Sequence, residues 1–237
     1  MTEAYRPRPA HLAPQYAAQF GDEAVAAAYR HRPPYPQETF AVLEPLLGPR
    51  PRTVLELGAG TGDLTIGLAP LADRLIAVEP SRAMVERGRP RLAALPSRVE
   101  WHPVSAEDYA FDQPYGAVVS AEAFHWLDWD RVVPLIAGRL ARAGHLILVE
   151  RTVATPLPWD RDLRDLIRTS SNNRDYVPYD IATELQSRGL VVGEGHARTA
   201  PVVHSQTLTT TWSRSTRGTA SHAPGYPPPR PRSSTTA

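Results

Sequence analysis

The sequence predicts an α/β protein built on a doubly wound, mostly parallel, seven-stranded sheet. Three observations carry this. Short apolar runs of strand length alternate with helix-length segments between residues 53 and 153. That spacing requires right-handed β-α-β crossovers and a sheet covered on both faces. The first apolar run ends in three glycines at alternate positions and opens into a helix, the joint at which doubly wound sheets bind ligands. Two further β-like runs at 190–198 and 201–209 bring the strand count to seven.

In chain order, residues 1–14 are rich in Pro and Arg and are expected to be disordered. QYAAQFGDEAVAAAYR (15–30) reads as an Ala-rich helix interrupted at Gly21. HRPPYP (31–36) is an extended connector, because each Pro fixes its own φ and restricts its predecessor. QETFAVLEPLL (37–47) is helical, with Pro45 near its end. The strands are expected at 53–58, 74–80, 98–104, 115–121 and 145–153. Helices are expected at 61–72, 81–95 (opened by a Ser81 N-cap) and 128–142. Residues 154–188 break this rhythm with two helices, 158–170 and 179–188, and the 190–198 and 201–209 runs follow as an antiparallel edge pair.

Hydrophobic residues make up 42% of the 237-residue chain and charged residues 22%, which suits a packed core. No apolar run approaches the roughly 18–20 residues of a membrane span, and the N-terminus has no apolar h-region of a secretory signal. The chain has no cysteine, which excludes disulfides, thiolate ligands and thiol nucleophiles and fits a cytoplasmic location. All 26 basic residues are Arg, so Schiff-base and P-loop lysine chemistry is excluded. Residues 1–210 carry 22 Arg against 25 acids, net −3, with no nucleic-acid footprint. No His/Asp/Glu set has metal-ligand spacing.

The sharpest motif is Val54-Leu55-Glu56-Leu57-Gly58-Ala59-Gly60-Thr61-Gly62. Glycines let a ligand approach the backbone closely and tolerate positive φ. Dinucleotide sites use G-x-G-x-x-G, whereas here the third glycine comes one residue sooner. The acid Glu56 stands two residues before the first glycine. It would repel a pyrophosphate and favour an ammonium, which points to S-adenosylmethionine, a zwitterionic amino acid with a sulfonium. Glu79 closes the second strand, where an acid accepts hydrogen bonds from ribose hydroxyls. Pro80 follows it, and Met84, early in the next helix, is a candidate to cover the adenine, a plain core methionine being the competing role.

This pattern resembles the class I S-adenosylmethionine-dependent methyltransferases over roughly residues 20–210. Within them it is similar to the small-molecule enzymes related to trans-aconitate methyltransferase. Tyr29-Arg30-His31-Arg32-Pro33-Pro34-Tyr35-Pro36, Ser105-Ala106-Glu107-Asp108 and Ala121-Glu122-Ala123-Phe124-His125-Trp126-Leu127-Asp128-Trp129 carry the likeness. The resemblance implies a Rossmann-like methyltransferase fold in which residues 15–48 form a helical lid. Residues 49–210 form the core, with a helical cap at 154–188 inserted after strand five. It also implies that Glu56, Gly58, Ala59, Gly60, Thr61 and Gly62 face the methionine part and that Glu79 takes the ribose. Ala106 and Glu107 would sit at the adenine edge, and Ala121 and Phe124 near the sulfur.

The expected activity is methyl transfer to an oxygen, carboxylate or hydroxyl, of a small molecule by a monomer or homodimer. The alternative is a degenerate or truncated cofactor-binding domain. His125 is the candidate general base, useful for a hydroxyl acceptor and unnecessary for a carboxylate; a packing histidine is the competing role. Arg161, Arg164, Arg168 and Arg174 lie in the cap and suit either a carboxylate substrate or a solvated helix face. No Asn/Asp-Pro-Pro-aromatic motif follows the fourth strand, which argues against adenine or glutamine amino-group methylation.

Residues 211–237 contain no Leu, Ile, Val, Phe or Met and carry a net charge of +4. They cannot bury enough apolar surface to fold and are expected to be disordered. A back-translation with mostly GC-ending codons, shifted by two bases at Thr210, gives D-L-V-A-L-Y-A-R-H-R-L-A, an amphipathic helical pattern. The tail is therefore expected to be a frame-shifted stretch, with a natural basic tail as the alternative.

Overall fold

The computed structural model describes residues 9, 12–93, 95, 99–152, 158–171 and 180–205. Expectations for residues 1–8 and for the tail from 206 onward lie outside these. So do Arg174 and the link around it.

The strands are β1 (Thr53–Leu57), β2 (Arg74–Val78), β3 (Val99–His102), β4 (Tyr115–Ala121) and β5 (Leu140–Val149). All are parallel, in the order β3-β2-β1-β4-β5. The helices are α1 (Pro14–Ala17), α2 (Glu23–Ala28), α3 (Gln37–Leu43), α4 (Thr65–Leu68), α5 (Arg82–Leu92), α6 (Trp129–Ala137), α7 (Asp160–Ser170) and α8 (Ile181–Ser187).

Alternation along the strands divides the core. Leu55, Leu57, Ile76, Val78 and Val118 face α6 and α8 through Val132, Ile136, Ile181 and Leu185. Val54, Leu75, Ala117 and Val119 face α3 and α4 through Phe40, Leu43 and Leu68. A two-residue period on strands buried on both faces has this result.

Local chemistry sets the helix ends. The break expected at Gly21 is a 3₁₀ turn over Ala18–Gly21, after which the Asp22 side chain caps α2 through the amides of Ala24 and Val25. The Ser81 side chain accepts from Met84 N–H and caps α5. The helix expected over 61–72 is shorter, because the glycine turn takes its first residues and a 3₁₀ turn containing Pro70 ends it. Gly138 stops α6 early. β5 begins at Leu140 rather than 145, with an irregular register opposite Tyr115 and Ala117.

The strand count is corrected to five among the described residues. Residues 190–205 form no strand. Gly193 and Gly195 interrupt the run, Pro201 lacks a ladder donor, and Val192, Val202 and Val203 are 89%, 67% and 92% exposed. Glu194 meets His145 at 3.1 Å and Ala200 N–H donates to Glu38 at 2.8 Å, so side chains rather than a ladder hold this segment.

Candidate cofactor site

The ends of all five strands and the N-terminal segment enclose a cavity of about 430 Å³, within the range of small-molecule sites. Gly58, Gly60 and Gly62 adopt φ of 73°, 57° and 82°, in the region that favours glycine. A Cβ on Gly58 would stand 2.3 Å from the Ala123 Cβ, so the β1 and β4 loops meet there only without a side chain. A Cβ on Gly60 would meet nothing nearer than Tyr29 Cε1 at 3.7 Å.

The loop is tied to its neighbours. Gly58 and Ala59 N–H both donate to Val78 O, at 2.9 and 3.1 Å. Gly60 N–H donates to Glu79 Oε2 and Ser81 N–H to Glu79 Oε1, each at 2.8 Å. From α5, one Arg91 nitrogen donates to Thr61 O at 2.9 Å and Thr61 Oγ1 at 3.1 Å, and pairs with Asp63 at 2.8 Å.

Two buried acids face the cavity. Glu56 is 1% exposed and accepts from Thr65 Oγ1 at 2.7 Å. Burial pushes its carboxyl up to about 8, against the opposing pull of the Thr65 bond. Burial also raises Glu79, and its two backbone hydrogen bonds oppose that rise.

The other wall comes from β4, β5 and the N-terminal connector. Glu122 holds a positive φ of 56°, uncommon for a residue with a side chain. Its amide donates to Val149 O at 3.0 Å, and its carboxylate accepts from Arg151 N–H. The Arg151 guanidinium lies 3.7 Å over the Tyr35 ring, and that of Arg32 lies 4.0 Å over Tyr29. Above the β2 side, Ser81 Oγ donates to Phe20 O at 2.8 Å, and the Phe20 ring meets Trp126 edge-on at 5.6 Å.

Most expected site residues come together here. Glu56, Gly58, Ala59, Gly60, Thr61 and Glu79 line the cavity, as do Pro80, Met84, Ala106, Glu107 and Ala121. The Glu107 carboxylate also accepts from Asp128 N–H at 2.7 Å, fixing the entry to α6. Three expected residues do not line it. Gly62 turns away toward Leu92. Phe124 is 3% exposed in the core, its carbonyl accepting from Trp129 Nε1 at 2.9 Å. His125 sits on the 3₁₀ turn Phe124–Trp126 with its ring 4.8 Å from that of Trp126, beside the cavity rather than in its wall.

Not singled out as site residues from the sequence were Arg32, Tyr35, Glu122 and Arg151, which all line it. The aromatic-Arg-Pro run was the available signal for Arg32 and Tyr35, whereas Arg151 lay inside the strand expected over 145–153 and nothing local marked it. Among the described residues no group of His, Asp and Glu could hold a metal ion, and no helix is long and apolar enough to cross a membrane.

Residues 54–144 match the family model described as a methyltransferase domain. Uncharacterised methyltransferases of Mycobacterium tuberculosis and Mycobacterium bovis are 39% identical over 144 residues. The match covers 61% of this chain and 57% of the relatives, so it spans little more than half their length. A candidate type II methyltransferase from Anaeromyxobacter dehalogenans shares the fold at a TM-score of 0.51 and 23% identity, covering 71% of this chain and 70% of its own. The parallel sheet, the glycine turn with its two buried acids and these likenesses agree: residues 54–144 are similar to a methyltransferase domain, and the chain has the fold of one.

Proposed function

We propose that the protein transfers the methyl group of S-adenosylmethionine to an oxygen of a small molecule. The observation that carries this reading is the pair of buried carboxylates, Glu56 and Glu79, on either side of the glycine turn. When bound, S-adenosylmethionine supplies an activated methyl on a sulfonium.

The protein's part is positioning and the exclusion of water. Glu79 accepts from the ribose hydroxyls while its backbone bonds hold it in place. Glu56 takes the ammonium, and ionises as that charge arrives. Arg32, stacked on Tyr29 above Gly60, holds the amino-acid carboxylate. Met84, Ala106 and Glu107 would bound the adenine, and Ala121 would line the part of the cavity that takes the sulfonium end. Residues 15–48 act as the lid, through Phe20 and Tyr29. His125 has no proton-transfer role in this arrangement, which suits an acceptor that arrives ionised. The acceptor is a small cytoplasmic molecule.

Calorimetric titration with S-adenosylhomocysteine and with NADH tests the binding half: heat from the first and none from the second is expected. An extract-wide assay with methyl-labelled cofactor tests the transfer. A second reading, a cofactor-binding domain with little activity, is favoured by the exposed 190–205 segment. Tight binding without any labelled product decides for it.

A further inference from the structure

Five acids line the cavity. In the reading above Glu56 takes the ammonium, Glu79 the ribose and Glu107 the adenine edge, while Asp63 is paired with Arg91 at 2.8 Å. Glu122 has no such use. It is half-buried in the cavity wall. One of its carboxylate oxygens accepts from Arg151 N–H, and its amide donates to Val149 O at 3.0 Å. Among the described residues no Arg or His pairs with it as an ion; the guanidinium of Arg151 lies on Tyr35 instead. Glu122 is also the one residue other than glycine with a positive φ among the described residues. Such backbone persists where its surroundings hold it, and it gathers at ligand sites. The bond to Arg151 N–H needs an acceptor oxygen, which a glutamine supplies as well. Closing β4 on β5 therefore does not account for the charge.

The strand order fixes where that charge stands. Ala121 ends β4, and Ala123 abuts Gly58 of the β1 turn, where an added Cβ would come within 2.3 Å of the Ala123 Cβ. Glu122, between them, sits beside the glycine turn on the side away from Glu79 on β2. Its charge is felt at Tyr29, which stands over Gly60: burial raises the Tyr29 hydroxyl, Arg32 opposes the rise, and Glu79, Asp63 and Glu122 add to it. The sulfur of S-adenosylmethionine joins the ribose arm to the amino-acid arm. With the first arm at Glu79 and the second at Glu56, the sulfonium faces the part of the wall made by Ala121 and Glu122. The β4–β5 end beyond is left to the molecule being methylated.

Resting on the methyltransferase reading above, we infer that Glu122 is the counter-charge of the sulfonium and makes the site prefer S-adenosylmethionine to S-adenosylhomocysteine. The two ligands differ by one methyl group and one positive charge. On transfer, an electron pair of the acceptor oxygen forms the new C–O bond. The S–CH₃ bond breaks with its pair left on sulfur, and the positive charge facing Glu122 is gone. Opposite charges attract more strongly in an enclosed cavity than in water, so spent cofactor is held less firmly than fresh cofactor and is exchanged for it.

The test is calorimetry on the full chain with three ligands: S-adenosylmethionine, S-adenosylhomocysteine, and sinefungin, which carries an ammonium in place of the methylated sulfonium. The parent protein is expected to bind both charged ligands more tightly than S-adenosylhomocysteine. Glu122→Gln keeps an acceptor for the Arg151 amide. It should weaken both charged ligands about tenfold and change S-adenosylhomocysteine by no more than about twofold. Matched melting curves show that the variant is folded. An equal loss for all three ligands would make Glu122 a residue that only shapes the wall, and would overturn the proposal. Unchanged affinity for the charged ligands overturns it as well. A parent protein that binds S-adenosylhomocysteine more tightly than S-adenosylmethionine overturns it whatever the variant does. Failure of the parent protein to bind any of the three overturns the methyltransferase reading itself, and this proposal with it.

Discussion

β2 and β5 flank the central strands β1 and β4, and they are built differently. β2 pairs on both sides and buries every residue after Arg74, so its end is fixed from β1, β3 and α5. β5 is twice as long, pairs among the described residues only with β4, and buries only Val149. The chain beyond it leaves Val192, Val202 and Val203 exposed. The half that would hold the cofactor is thus determined by many mutually dependent contacts. The half that would hold the acceptor rests on one ladder and a few side chains. Cofactor chemistry is common to a whole class of enzymes and acceptor chemistry is particular to each, so the sequence is most legible where the structure is most constrained.

The largest expected effect that sharpens this contrast comes at Gly60. Gly60→Val puts a branched side chain at positive φ into the cavity and should weaken S-adenosylhomocysteine more than 100-fold by calorimetry; retention of affinity would break the site assignment. Next is the core beneath it. Ile76→Ala should cost about 2–5 kcal/mol in denaturant unfolding, the range for a buried large-to-small change. Glu79→Ala should weaken S-adenosylhomocysteine by about 1.5–3 kcal/mol, the scale of hydrogen bonds to a charged group.

A pH profile comes next. The Glu56 carboxyl, at about 8, keeps in the folded state a proton that the unfolded chain releases above its usual value of 4.5. Its contribution to stability is therefore fullest below pH 4.5, declines as pH rises toward about 8, and then levels off. Glu56→Gln should remove that slope and raise the melting temperature at pH 8. Binding of the ammonium expels the proton, so affinity should rise by up to tenfold per pH unit, about 1.4 kcal/mol, until pH reaches about 8. A flat affinity profile would show that Glu56 does not meet the ligand's charge. The smallest effect belongs to the other half: Val203→Ser should change stability by no more than about 0.5 kcal/mol. A loss above 1 kcal/mol would mean that the 190–205 segment packs on something in solution.

The five parallel strands and the glycine turn were readable because apolar runs and glycine spacing are local signals with tertiary meaning. The expected strand at 115–121 matches β4 at both ends, and Ser81 caps its helix as expected. What was misplaced depended on contacts far apart in sequence. The early start of β5 is set by pairing with Tyr115. Phe124 and His125 sit on a 3₁₀ turn and do not line the cavity, whereas their neighbours Ala123 and Trp126 do. Arg151 carries no local motif, and only the closing of β5 against β4 brings it opposite Tyr35.

Arg91 holds the glycine turn in the shape a ligand needs, by gripping Thr61 twice and Asp63 once from the neighbouring helix. A loop already held in this way has little conformational freedom left to lose when a ligand arrives. Association should then be a simple encounter, uniform across nucleoside ligands of similar size. Differences in affinity among them will lie in how long each one stays.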